Sequence, residues 1–203
     1  MSLENHIEKI HELETLISSS EEVDVETRYE LALAYFNAER FSQAQSELGI
    51  VLDNNPSHTN ARYTLGLVSM STGDYSTAVD NLSEVIKYDS KYVEAYKHMA
   101  AALLTLGKIE DSLEWLLKAC EIDPDYLDAY IVLGDVYLEM GKFSEAEASY
   151  ETAIDLDPQN LDAHMGLAMY FLAQGNTEKL TEQYEKIRPL NTELAEKIRS
   201  LFL

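Results

Sequence analysis

A single interval governs this sequence. GDYSTAVDNLSEVIKYDSKY begins at Gly73, GKIEDSLEWLLKACEIDPDY at Gly107 and GKFSEAEASYETAIDLDPQN at Gly141, each 34 residues after the last. Aligned at that period the chain resolves into five units, 25–58, 59–92, 93–126, 127–160 and 161–194, with no insertion or deletion before the second half of the fifth. Position seven is Leu31, Leu65, Met99, Leu133 and Leu167, and position eight is always small: Ala32, Gly66, Ala100, Gly134 and Ala168. Position fifteen is Glu39, Gly73, Gly107, Gly141 and Gly175, position twenty is Ala44, Ala78, Ser112, Ala146 and Leu180, and position thirty-two reads Pro56, Ser90, Pro124 and Pro158.

Each recurrence has a physical reason. Glycine at fifteen ends a helix in the left-handed conformation, which costs it almost nothing. Small residues at eight and twenty let two helices approach closely. Proline at thirty-two cannot continue a helix, so it separates one unit from the next. Apolar residues between these marks recur at three and four. Each unit is therefore predicted to be a helix of about 14 residues, a short turn and a second helix of similar length. One such hairpin cannot bury its own apolar faces, whereas five stacked hairpins can.

The ends depart from the pattern. Glu39 stands where glycine is expected, Leu180 where a small residue is expected, and Pro189 arrives three positions early, which predicts a short second helix in the fifth unit. Ahead of the units, 1–24 reads as an amphipathic helix carrying Leu3, Ile7, Ile10, Leu13 and Ile17, followed by a linker from Ser18 through Glu22. Behind them, 191–203 places Leu194, Ile198, Leu201 and Phe202 on one face of a further helix. Both terminal helices are expected to cap the open ends of the stack.

AYIVLGDVYLEMGKFSEAEASYETAIDLDP, Ala129–Pro158, resembles the tetratricopeptide repeat (TPR) nearly position for position, and the resemblance extends over 25–194. It implies an all-α, right-handed α-solenoid of five helix-turn-helix repeats with N- and C-terminal capping helices. It also implies that the first helix of each repeat lines a concave groove through positions two, five, nine, twelve and thirteen. Those positions supply an apolar floor of Tyr29, Leu33, Phe36, Tyr63, Leu67, Met70, Leu104, Ile131, Leu138, Met165, Met169 and Leu172, with Lys97 and Asp135 among them, and an acidic edge of Glu26, Glu94, Asp128 and Asp162. The chaperone-tail clamp known in this family needs lysine, asparagine and arginine at five and nine of successive repeats. Here Tyr29, Leu33, Leu67, Lys97 and Ala101 leave only Lys97 to serve, so that ligand is rejected.

Charge narrows the partners. Fifteen Lys and Arg against 37 Asp and Glu give a formal net charge of −22. Nucleic acid and anionic lipid bind through displaced cations, which this chain cannot supply in number. No uninterrupted apolar run of about 18 residues predicts membrane insertion. The opening MSLENHIEKIHELE has no basic segment ahead of an apolar core, so no export signal is expected, and with Cys120 the only cysteine a cytoplasmic setting is the default expectation.

Reactive chemistry is sparse. Gly107-Lys108 and Gly141-Lys142 are hairpin turns without the rest of a phosphate loop. His6, His11, His58, His98 and His164 form no i, i+4 ligand pair, and Asp123-x-Asp125 lacks the glycine and glutamate of a calcium loop. Cys120, between Ala119 and Ile122, is expected to be a structural thiol. No cofactor, metal or enzymatic activity is expected. The expectation is a protein–protein interaction module whose ligand is a peptide or helix, apolar with basic flanks. The alternative is a self-associating structural scaffold, or an assembly-factor fragment of a larger protein. Trp115 and Leu117 are candidates for a convex contact, since other units carry Glu47, Asn81, Ser149 and Gln183, or Gly49, Ser83, Glu151 and Glu185, at these positions.

Overall fold

The computed structural model describes residues 3–19 and 24–200, and every regular element among them is an α-helix. The twelve are α1 Leu3–Ser19, α2 Val25–Asn37, α3 Phe41–Asn54, α4 Thr59–Ser71, α5 Tyr75–Tyr88, α6 Val93–Thr105, α7 Ile109–Ile122, α8 Leu127–Glu139, α9 Phe143–Leu156, α10 Leu161–Ala173, α11 Thr177–Ile187 and α12 Thr192–Arg199. In sequence the five 34-residue units correspond to α2 and α3, α4 and α5, α6 and α7, α8 and α9, and α10 and α11, with α1 before them and α12 after. The chain divides into two compact units between Leu106 and Gly107: α1–α6 form the first and α7–α12 the second.

Turn chemistry sets the helix ends. Gly73, Gly107, Gly141 and Gly175 have φ between +66° and +82°. Glu39 takes the same conformation at φ 56°. Its N–H donates to the Phe36 carbonyl at 2.9 Å and that of Arg40 to the Tyr35 carbonyl at 2.8 Å, as those of Gly141 and Lys142 do to Leu138 and Tyr137. The first repeat therefore keeps the turn without the glycine, at the steric cost a Cβ carries in that region. Where a helix begins, Asp74, Asn160, Asn176 and Asn191 accept a backbone N–H in the first turn. The Thr77 hydroxyl and amide hold the Asp74 carboxyl below its ordinary range.

A second periodic device escapes the residue pattern. Position four holds Arg62, Tyr96 and His164 in repeats two, three and five, and each donates to the backbone carbonyl six residues earlier: Pro56 at 3.0 Å, Ser90 at 3.0 Å and Pro158 at 3.1 Å. At Tyr130, the same position in repeat four, the hydroxyl meets the Cys120 thiol, whose pKa burial pushes up. A half-buried thiol raised in this way suits the structural role. Asp123 accepts the Asp125 N–H at 3.0 Å, so the calcium-like pair is a turn between repeats, matched by Asp89–Lys91 and Asp157–Gln159.

Each terminal helix packs on the helix next to it, α1 on α2 and α12 on α11. Ile10 and Leu13 of α1 are buried with Leu31, Ala34 and Tyr35, and the Tyr35 hydroxyl donates to Glu14. Ile7 departs from the expected stripe and is exposed, and α1 continues through Ser18 and Ser19, which the sequence placed in a linker. On α12, Ala195 and Ile198 are buried, and Tyr184 donates to Glu196 at 2.8 Å. The side chain of Leu3, and Leu201 and Phe202, lie outside the described residues. The short α11 matches the early Pro189, with 11 residues where α9 has 14. Leu180, out of pattern, is fully buried.

Candidate functional site

The first helices of the repeats carry the groove positions, and the two units equip them differently. In the first unit, Tyr29 and Tyr63 are engaged with the next repeat boundary. The Tyr29 ring lies 4.8 Å from His58, and the Tyr63 ring 4.9 Å from Tyr92 and 5.5 Å from His98. Tyr63 Oη is 3.0 Å from His98 Nδ1, and the Tyr92 hydroxyl, pushed up to about 12 by burial and then by the charge of Glu94, donates to Asn60. Leu33, Phe36, Leu67, Met70, Lys97 and Leu104 are half-buried, whereas Glu26 and Glu94 are exposed. Phe36 also packs against the hairpin core and Phe41. These rings fill the face with aromatic contacts belonging to the fold.

The second unit opens a pocket instead. About 380 Å³ in volume, it is lined by Ile131, Asp135 and Leu138 of α8, Tyr150 of α9, and Asp162, Met165, Gly166 and Met169 of α10. Met169 leaves 45% of its surface exposed there. Tyr150 is the structural cause. Its side chain is fully buried, and a Cβ on Gly134 or Gly166 would stand 2.5 Å or 2.3 Å from its ring. Two glycines thus let an aromatic ring from the second helix pass between α8 and α10. Its hydroxyl then donates to Asp135 Oδ1 at 2.6 Å.

Asp135 reaches solvent at the pocket, but the walls around it are close. Desolvation raises its pKa above the usual carboxylate range, the Tyr150 hydrogen bond opposes that rise, and Asp162 and Glu139 add repulsion. The Tyr150 hydroxyl is raised in turn, by burial and then by its bond to Asp135. No ion pair to Asp135 or Asp162 occurs among the described residues. Other carboxylates have their cations: Glu47 has Arg28 at 2.7 Å and Glu147 has Lys179 at 2.5 Å.

Two profiles of this repeat match the chain, one described as tetratricopeptide repeat over 29–80 and 131–179, the other as TPR repeat over 102–141. The chain is a tetratricopeptide-repeat protein. A search of curated proteins finds no match by sequence. Among solved structures, this TPR protein resembles a thermophilic TPR protein of Thermus thermophilus, with 22% identity and a TM-score of 0.75 over 88% of this chain and 98% of that one. It also resembles MamA of Desulfovibrio magneticus RS-1, at 20% identity, TM-score 0.71, and 82% and 94% coverage. A third is YrrB, described as a TPR protein with an unusual peptide-binding site, at 19% identity, TM-score 0.65, and 93% and 97% coverage. At these identities the likeness speaks for the fold.

Of the groove residues named from the sequence, the pocket in this TPR protein gathers Ile131, Asp135, Leu138, Asp162, Met165 and Met169. Asp128 is exposed and outside its lining, and Leu172 packs against the core of the second unit. Tyr150 and Gly166 were missed. A signal existed: position twenty-four changes from Leu48, Leu82 and Leu116 to Tyr150, in the repeat that carries Asp135 where others have Leu33, Leu67, Ala101 and Met169. On α7, Trp115 is half-buried under Lys118, whose ammonium lies 4.4 Å from the ring centroid, and Leu117 is 43% exposed. Among the described residues no helix is long and apolar enough to cross a membrane, and no cluster of three or more His, Cys, Asp or Glu could hold a metal ion.

Proposed function

We propose that this TPR protein is an interaction module that holds a peptide or helix of a partner on the first-helix faces of its repeats, through apolar contacts bordered by carboxylates. The observation that carries this reading is the pocket of the second unit, whose Ile131, Leu138, Met165 and Met169 walls stay open beside Asp135 and Asp162. Peptide recognition of this kind draws its affinity from apolar anchors, each worth roughly 1.5–3 kcal/mol when fully buried. Exposed carboxylates outside the pocket, such as Glu94 and Asp128, act mainly on encounter and orientation, because salt screens them. The preferred segment is apolar with Lys or Arg beside the anchors. The module has no catalytic role of its own and works by joining proteins.

Selection of a random peptide library on the purified chain tests this. Enriched peptides should combine apolar and basic residues. Leu138→Asp should weaken them by at least about tenfold, the loss of one buried anchor, while the helical signal in far-ultraviolet circular dichroism persists. Peptides that bind Leu138→Asp and the parent equally would place the partner surface elsewhere.

A second reading rests on the exposed Leu117 and the half-buried Trp115 of α7: a convex contact between two copies. Light scattering across a concentration series decides it, because a chain that remains monomeric at high concentration has no such contact.

A further inference from the structure

Six lining residues of the second unit's pocket make a chemical description more specific than a greasy groove. Four walls are aliphatic or thioether side chains, Ile131, Leu138, Met165 and Met169, and two groups are carboxylates, Asp135 and Asp162. The volume of about 380 Å³ falls within the range of small-ligand sites, about 300–1,000 Å³. We propose that this pocket takes the side chain of a lysine from the partner segment, with its methylenes along Leu138, Ile131 and the two methionines and its ammonium at Asp135 and Asp162. The proposal rests on the groove reading above and specifies one anchor within it.

Charge complementarity supports the occupant. Tyr150 holds one oxygen of Asp135 at 2.6 Å, which fixes the carboxylate in the pocket wall without neutralising it. Asp162 adds a second negative charge near enough to be felt by Asp135, and no basic side chain among the described residues pairs with either. Two neighbouring carboxylates without a cation in a partly desolvated wall are an unfavourable arrangement that an arriving cation relieves.

The alternatives fit less well. A divalent metal wants three or more protein ligands at close range, and no such group occurs among the described residues. Arginine gains most from stacking on an open aromatic face and from a planar fork. Tyr150, the sole aromatic lining residue, is fully buried against Gly134 and Gly166 and offers no ring face. A lysine instead has a flexible apolar stem for the methionine-rich walls and a compact charge for the carboxylates.

The test needs no partner. The chain carries six methionines, so labelling their ε-methyl groups with carbon-13 gives few signals, and Met165→Leu and Met169→Leu assign the two in the pocket. The full chain is titrated with pentylammonium chloride, with 1-pentanol, with butylguanidinium chloride and with sodium chloride at matched ionic strength. Pentylammonium should move the Met165 and Met169 methyls saturably, with a Kd on the order of millimolar for so small a ligand. Pentanol and butylguanidinium should bind at least about fivefold more weakly, and Asp135→Asn combined with Asp162→Asn should cost pentylammonium about tenfold. The proposal is overturned if pentylammonium leaves both methyls unmoved, if pentanol or the guanidinium matches it, or if the double variant binds it as the parent does. Library peptides that bind and are lost on Leu138→Asp, with unmoved methyls, would sink the lysine pocket alone. Saturable pentylammonium binding with no groove-binding peptide would sink the groove reading and leave the pocket standing.

Discussion

The two units spend their aromatic residues differently. In α1–α6 the first helices carry Tyr29 and Tyr63, which lie against His58 and Tyr92, while the second helices contribute Leu48 and Leu82 to the core. In α7–α12 the corresponding first-helix positions are Ile131 and Met165, and the position that holds Leu48 and Leu82 keeps Leu116 in α7 but brings rings from α9 and α11 as Tyr150 and Tyr184. Moving the ring from the first helix to the second has two consequences at Tyr150. The first-helix face is left with aliphatic and thioether side chains and a pocket, and a buried hydroxyl arrives beneath it to hold a carboxylate. A shared backbone thus gives one unit a first-helix face filled by its own contacts and the other a first-helix face that holds a pocket.

The glycine partners of Tyr150 break or sustain that contrast most directly. Gly66 and Gly134 occupy the same repeat position, but a Cβ on Gly66 would stand 3.1 Å from Leu82 Cγ and 3.7 Å from the Ala78 carbonyl, a tight fit that a few tenths of an ångström relieve, whereas one on Gly134 would collide with the Tyr150 ring at 2.5 Å. Gly134→Ala should destabilise the chain by about 3 kcal/mol, the upper range for overpacking. Gly66→Ala should be within about 1 kcal/mol of neutral, since the gain in helix propensity offsets a small adjustment of Leu82. Urea unfolding of both variants measures the difference, and adding Tyr150→Leu to Gly134→Ala should restore most of the loss. Equal effects at Gly66 and Gly134 would remove the ring exchange as the basis of the contrast.

A gentler probe is the charge that Tyr150 helps place. With its folded pKa raised, Asp135 resists ionisation in the native state, so the unfolded chain gives up this proton first as pH rises. The contribution of Asp135 to stability should therefore fall as pH rises from the ordinary aspartate value of 3.8 through the raised folded value, and stay lowered above it. Asp135→Asn keeps an acceptor for the Tyr150 hydroxyl and removes the charge. It should equal or exceed the parent in stability at neutral pH, with the advantage gone below pH 3.8, as read from thermal midpoints across the range. An advantage of Asp135→Asn over the parent that shrinks as pH rises through that window would reverse the sign argued here.

The smallest effect lies at the turn of the first repeat. Glu39→Gly removes a side chain from φ 56° and should stabilise the chain by roughly 0.5–1 kcal/mol, measured by denaturant midpoint. A loss would mean that the Glu39 side chain contributes more than its backbone conformation costs.

The sequence made most of the fold legible because the repeat states each requirement five times. Gly73, Gly107, Gly141 and Gly175 mark the turns, and Leu31, Leu65, Met99, Leu133 and Leu167 mark the core stripe, by residue type alone. Glu39 shows where that stops: its turn forms because the hydrogen bonds of the cap outweigh a modest local strain, which no residue preference at that site announces. The pocket was half legible. Asp135, Leu138 and Met165 follow from their repeat positions, but their gathering depends on Tyr150, Gly134 and Gly166, three residues on three helices whose fit is a matter of volume. Periodicity describes one helix at a time, and a ring threaded between two others lies outside it.

The contacts at position four carry a further lesson. Arg62, Tyr96 and His164 differ in charge, length and shape, yet each reaches the carbonyl six residues behind it. What recurs is the acceptor, and every amino acid brings that oxygen with it. Information about the joint between repeats is therefore stored in the main chain, and the side chain only has to supply a hydrogen at the right reach. Repeats two, three and five can therefore differ in the letter at position four, so long as it carries a hydrogen far enough, and keep the same bond.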